Sequence, residues 1–278
     1  MRSSLLAKLF RRRLVLAGAL ILVGVALAAL LAPWLAPYDP MALKILDRLQ
    51  SPRATHWFGT DELGRDVFSR VVFGARYSLM IGALVVAIST FFGVLLGLAA
   101  GFFRRLDGPV MRLVDATMSF PDILLAIALV AVLGASMSNV VIALAIVYTP
   151  RVARVVRAST LVVRELLFVE AARALGVSTM RIVFFHVLGN ILSPILVQGT
   201  FIFAYAILAE AGLSFLGVGV PPELPTWGTM ISSGQAYAEQ AIWLVVFPGI
   251  AIVLSALSLQ MVCDGLRDML DPRLRKSL

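Results

Sequence analysis

The sequence predicts an all-α, polytopic membrane bundle with six transmembrane helices. Three observations predict it: an apolar composition, apolar runs of membrane-crossing length, and basic residues confined to the segments between them. The chain is 60% hydrophobic and 14% charged over 278 residues. Soluble domains run at about 45–50% apolar and about 25% charged. Such an excess of apolar side chains does not fit inside a water-soluble core; it is accounted for when lipid is the solvent for most of the surface. The one cysteine, Cys263, excludes an internal disulfide, and with only His56 and His186 available a Cys/His metal cluster is excluded as well. The net charge of +8 would suit nucleic acid, but its placement between apolar runs is that of residues setting membrane orientation.

A span needs about 20 apolar residues to cross about 30 Å of hydrocarbon. The first is Leu14–Ala32, preceded by Arg11, Arg12 and Arg13 and closed by Pro33. It is longer than the about 7–15 residues of a signal-peptide core, so it reads as an uncleaved anchor. A twin-arginine export signal is set aside, because no folded soluble domain follows. In the segment 33–77, Val67, Val71 and Val72 share one helical face, with Asp66 and Arg70 spaced i,i+4 on another. This predicts an amphipathic helix lying along the outer interface ahead of the second span. Asp61, Glu62 and Asp66 lack the spacing and closing glutamate of an EF-hand, so no metal site is expected.

The remaining spans are Leu79–Phe102, Leu113–Leu133, Val140–Tyr148 continuing to about Val156, Ile195–Phe215 and Ile242–Val262. The turn Gly134–Asn139 joins the third and fourth as a hairpin. Gly93, Gly97 and Gly101 form a small-residue ridge for close helix contact, within the bundle or against a second subunit. Pro121 is expected to break the start of the third span, with Asp115 and Asp122 as helix-end charges rather than a proton relay. Asp264 and Asp268 are expected to pair with Arg267 or the tail.

With six spans, the basic segments 1–13, 103–112, 151–190 and 264–278 fall on one side, which the positive-inside tendency makes cytoplasmic, with both termini inside. The Gly134–Asn139 turn and Gly217–Ala241 contain no lysine or arginine. Residues 33–77 dissent, with Lys44, Arg48, Arg53, Arg65, Arg70 and Arg76 nearly balanced by Asp39, Asp47, Asp61, Glu62 and Asp66.

The cytoplasmic loop Arg151–Asn190 is too long and too charged to be a mere connector. Its centre reads Phe168-Val169-Glu170-Ala171-Ala172-Arg173-Ala174-Leu175-Gly176-Val177-Ser178. Glu170–Leu175 are good helix formers and Gly176 is a natural helix stop. Ser178 can cap a second helix through Met180–Val187. Two short helices with an elbow result, Ala171 and Ala172 presenting a flat surface and Glu170 a charge.

EAA followed by glycine at this interval resembles the EAA loop of binding-protein-dependent ABC permeases. GTDELGRDVFSR (Gly59–Arg70), ILAEAGLSFLGVGV (Ile207–Val220) and DGLRDMLDPRL (Asp264–Leu274) extend the likeness to the dipeptide/oligopeptide/nickel subfamily, and within it to the C-type permease subunit. The resemblance covers about Ala32 to Leu274. It implies a type I ABC importer permease fold in which Glu170, Ala171, Ala172 and Gly176 belong to a coupling helix docked on a cytoplasmic ATPase. The implied partners are a second homologous permease, two ATP-binding subunits and an extracytoplasmic solute-binding protein. The implied organisation is an N-terminal anchor (1–32), an extracytoplasmic segment (33–77) and a permease core (78–278). One position departs from the pattern: Gly189 follows Leu188 where the family has proline, which gives a more flexible bend.

Glu210 lies inside the fifth span. A carboxylate at that depth costs roughly 2.5–3.5 kcal/mol on insertion scales, so it faces protein or water. Two roles stand open: lining the translocation path, which predicts lost uptake on Glu210→Gln, or a structural hydrogen bond to a neighbouring helix. Gly217–Ala241, with Pro221, Pro222, Pro225, Trp227 and nearby Trp243, reads as a turn-rich outer loop with aromatic interface anchors. It serves as gate packing or, by resemblance, as a contact for the binding protein.

No GxxxxGK[ST] phosphate loop occurs, and no nucleophile–base pair or metal constellation marks an enzyme. No cofactor is called for. The expected mechanism is alternating access driven by separate ATPases, with peptides as the leading cargo and nickel or nickel chelates next. A secondary transporter would need intramembrane ion sites and often an internal repeat; an intramembrane enzyme would need catalytic residues clustered in the spans.

Overall fold

The computed structural model describes residues 13–270. Arg2, Lys8, Arg11 and Arg12, the tail residues Arg273, Arg275 and Lys276, and the side chains of Arg267 and Asp268 lie outside the described residues. The main helices are α1 (Arg13–Leu30), α2 (Val67–Phe102), α3 (Arg104–Met118), α4 (Asp122–Leu133), α5 (Met137–Val163), α6 (Leu167–Ala174), α7 (Leu192–Phe215), α8 (Trp227–Gln235) and α9 (Trp243–Leu270). Among the described residues, α1, α2, α5, α7 and α9 are each long and apolar enough to cross a membrane. The pair α3 and α4, bent by 91°, makes a sixth span if counted as one.

Two elements differ from the sequence reading. The second span is not preceded by a separate amphipathic helix, because Val67–Phe102 is one uninterrupted helix of 36 residues. At 1.5 Å per residue it is about 54 Å long, well beyond a hydrocarbon core of about 30 Å. Nothing in Val67–Tyr77 breaks a helix, so the apolar stripe continues straight into the span. The third span, expected from Leu113, is instead divided. Pro121 takes φ −58° and ψ 130° at the start of α4, the extended geometry that ends one helix and turns the chain into the next.

The core lies where α2, α5 and α7 meet, around Ile81, Val85, Leu144, Val152, Ile202 and Ala206. The glycine ridge of α2 is what brings α5 so close. A Cβ placed on Gly97 would stand 2.6 Å from Cβ of Val156 and 2.7 Å from the carbonyl oxygen of Ala153. Gly93 meets Val152 and Gly101 meets Thr160 in the same way. The ridge therefore serves packing within this bundle. α1 lies against α9 through Gly18 and Met261, while Leu14, Leu20 and Val23 of α1 remain exposed, as suits lipid contact.

Candidate functional site: the docking elbow and the polar groups behind it

α5 runs to Val163, past the expected end near Val156, so the irregular part of the loop begins at Arg164. Arg164 closes that helix and donates to the carbonyl of Gly101 at 2.7 Å, tying the loop to the end of α2. α6 then carries the motif. Val169 and Ala172 turn inward, buried with Ile182, Val183 and Val187. Glu170, Ala171, Arg173, Ala174 and Gly176 are exposed. The flat surface expected from both alanines is thus supplied by Ala171 and Ala174, because Ala172 falls on the inner side of an eight-residue helix.

The elbow is a glycine-ended helix stop. The N–H of Gly176 donates to Arg173 at 3.0 Å and that of Val177 to Ala172 at 3.1 Å, the paired bonds of a Schellman motif. Gly176 has φ +75°, and a Cβ there would meet nothing within 4 Å, so its demand is conformational, not spatial. Beyond it Ser178 stands at the N-cap without a side-chain cap bond; its carbonyl alone accepts, from Ile182 at 3.0 Å. The expected helix Met180–Val187 is present but wound wide, as a π segment over Ile182–Val187. Gly189 continues it through Leu188–Asn190, and the chain breaks at Ile191 before α7. The elbow is braced from behind, with the Arg173 guanidinium 5.2 Å from the ring centroid of Phe102. Its outer side leaves Leu167, Leu175 and Phe185 at 81%, 83% and 75% exposure.

Behind the elbow, three arginines of α5 meet three aspartates along the bent pair. Arg157 bonds Asp107 at 2.8 Å, Arg154 bonds Asp115 at 2.7 Å, and Arg151 bonds Asp122. Asp115 and Asp122 are therefore rungs of an ion-pair ladder joining α3 and α4 to α5. Asp264 accepts from Gln260 at 3.4 Å; its expected pairing with Arg267 or the tail lies outside the described residues.

Glu210 is 1% exposed. One carboxylate oxygen accepts from the hydroxyls of Ser214 at 2.9 Å and Thr226 at 2.8 Å. These bonds tie α7 to the start of α8. Thr226 caps α8 through a reciprocal bond with Thr229. Trp227, read as an interface anchor, is 1% exposed and donates its indole N–H to Val71 at 3.0 Å. Its ring is drawn inside because α8 folds back over the top of α2. Trp243 donates to Thr60 at 3.1 Å, so one indole ties α8 to α2 and the other ties α9 to the segment before α2.

The charges of GTDELGRDVFSR are satisfied by neighbours around the start of α2. Asp66 caps α2, accepting from Ser69 N at 2.8 Å, and meets Nδ1 of His56 at 2.9 Å. Asp61 accepts from Arg65 Nε at 2.6 Å and lies 3.6 Å from Arg70. The i,i+4 spacing of Asp66 and Arg70 thus yields no pair, because the cap and the neighbouring carboxylate take them first.

An all-α membrane bundle with an exposed two-helix elbow on one end is the architecture of a transport permease subunit, and the comparisons agree. Residues 89–276 match the family described as the binding-protein-dependent transport system inner membrane component. Residues 3–52 match the N-terminal TM domain of oligopeptide transport permease C. The chain belongs to this family of binding-protein-dependent transport permeases, and is the multi-pass inner-membrane permease component of an ABC importer. The di/tripeptide transport system permease protein of Pseudomonas aeruginosa is 46% identical over 94% of this chain and 89% of its own length. The dipeptide transport system permease protein of Alkalihalophilus pseudofirmus is 44% identical over 96% and 88%. An inward-facing crystal form of the MetNI methionine ABC transporter superposes with a TM-score of 0.60 at 18% identity, covering 73% of this chain and 97% of that one; it shows the same fold.

Proposed function

We propose that this chain imports di- or oligopeptides as one of two homologous permeases, moved by two cytoplasmic ATPases and supplied by an extracytoplasmic binding protein. The observation that carries the docking role is the elbow itself. Glu170, Ala171 and Gly176 stand exposed beside Leu167 and Leu175, an apolar surface of the kind that marks a protein contact. Val169 and Ala172 root the same helix in the core, so force on the outer side reaches α2 and α5 rather than dissipating in a loop. The peptide assignment follows the transport named for the two relatives above. The basic residues of the elbow side put it and both termini in the cytoplasm, with 33–77 outside and 78–278 as the permease core.

On this reading Glu210 is a structural pin for the outer loop rather than a path-lining group, supported by its burial and its two hydroxyl donors. The test of the whole proposal is co-purification and uptake. The wild-type chain, expressed with its permease, ATPase and binding-protein partners, retains two ATPases and accumulates labelled dipeptide with ATP. Glu170→Arg loses the ATPases while remaining in the membrane. Peptide uptake by this chain alone without ATP would overturn the reading.

A further inference from the structure

Among the three rungs of the ladder, the Asp122–Arg151 pair stands apart in depth and surroundings. Arg151 lies fourteen residues into α5 from Met137, about 21 Å from the hairpin turn at 1.5 Å per residue. Asp122 begins α4, which has 12 residues and is about 18 Å long, short of the about 30 Å of hydrocarbon it rises through. Counted from that turn, both charges lie within about 30 Å of hydrocarbon rather than beyond it. Two tyrosines enclose them. The Arg151 guanidinium is 5.5 Å from the ring centroid of Tyr148 and 5.5 Å from that of Tyr205. The Tyr148 hydroxyl reaches the Tyr205 carbonyl at 3.4 Å.

The pair is not sealed. The side chains of Arg151 and Asp122 are 33% and 40% exposed, and Tyr205 is 49% exposed. Charge at this depth is not left against lipid, so the open side faces protein or an aqueous path. A cation and an anion held side by side, with an aromatic wall, match one cargo chemistry closely. A peptide is a zwitterion, with a carboxylate at one end and an ammonium at the other. Arg151 offers a fork of donors for the carboxylate and Asp122 accepts from the ammonium. Exchanging one internal ion pair for two with the cargo leaves no charge unpaired in the low-dielectric interior.

We infer that Asp122 and Arg151, walled by Tyr148 and Tyr205, form the site in the translocation path that receives the charged termini of a peptide. This inference rests on the proposed peptide import. Between loads the two residues neutralise each other; with cargo present, Arg151 turns to the C-terminus and Asp122 to the N-terminus.

The test uses the full transporter in proteoliposomes with its binding protein. Uptake of a free dipeptide is compared with that of its C-terminal amide and its N-acetyl form. Each variant's ratio is taken against wild type with the same binding protein, so that protein's own preference cancels. Arg151→Gln is expected to lower the free-acid to amide ratio by about 10-fold or more, the scale of a lost charge-assisted hydrogen bond, with ATP hydrolysis retained. Asp122→Asn is expected to erase the preference for a free ammonium. The double variant Asp122→Asn/Arg151→Gln leaves no orphan charge and so keeps assembly; it is expected to lose both preferences together. Equal loss of uptake for all three peptides, or unchanged ratios in the assembled double variant, would assign the pair to subunit contact and overturn the inference. Failure of the wild-type transporter to take up any of the three would instead overturn the peptide reading itself.

Discussion

Gly97 of α2 lies directly beneath Val156 of α5, so close that an added methyl would stand 2.6 Å from the valine Cβ. That contact sets the separation of the two helices on which the rest of the bundle is built. In lipid, where apolar surface has no drive to leave its solvent, such backbone approach is a main source of helix association. Gly97→Val is therefore expected to destabilise the subunit by about 1–3 kcal/mol, the usual cost of overpacking. A lowered unfolding midpoint in detergent checks it; an unchanged midpoint would show that α5 can move aside.

Glu210 separates two roles by a conservative change. As a pin, it needs only an acceptor for Ser214 and Thr226. Glu210→Gln keeps that acceptor and is expected to preserve folding and uptake. Glu210→Ala removes the shared acceptor of two buried hydroxyls, at about 1–3 kcal/mol in stability, and should open 217–241 to limited proteolysis. Loss of uptake by the glutamine variant with a protease-resistant loop would return Glu210 to the path.

Gly176 is required for its φ of +75°, with open space around it. Substitution there should follow conformational cost rather than size. Gly176→Asn, which tolerates the left-handed region, is expected to keep ATPase docking, and Gly176→Val to weaken it. Co-purified ATPase per permease measures the difference, and equal retention in both would remove the elbow geometry from the docking step.

Asp66 caps the long helix and meets His56. Asp66→Ala is expected to cost about 0.5–2 kcal/mol through the lost cap, with a further loss from His56 left without its carboxylate. Asp66→Asn keeps an acceptor and should recover most of it. Thermal unfolding of the three proteins side by side decides the point.

Much of this architecture was legible in the sequence because the signals are local. Run length marks spans, and a glycine after EAARAL marks the elbow regardless of what surrounds it. Pro121 announced a break in the third span, although the size of the bend depended on how α3 and α4 lie against α5. Local pattern misleads where a distant contact competes with it. Trp227 looks like an interface anchor until α8 folds over α2 and its N–H finds Val71. Ala172 looks like part of a flat docking face until the short helix is rooted on Ile182 and Val183. Val67–Tyr77 looks like a separate amphipathic helix because Asp66 and Arg70 stand apart from the face of Val67, Val71 and Val72, yet Asp66 caps the long helix and Arg70 turns to Asp61.

Membrane integration, the apolar runs and the glycine-ended elbow were determined by the sequence alone, because each rests on composition or on neighbours a few residues apart. The contact of Glu210 with Thr226, the pairing of Asp107, Asp115 and Asp122 with Arg157, Arg154 and Arg151, and the fit of Gly97 under Val156 were decided only by the tertiary structure. Those depend on which helix surfaces meet, and residues 29 to 50 positions apart carry no local signal that they will. In a low-dielectric membrane a charge or a backbone gap must find its complement wherever the fold brings it.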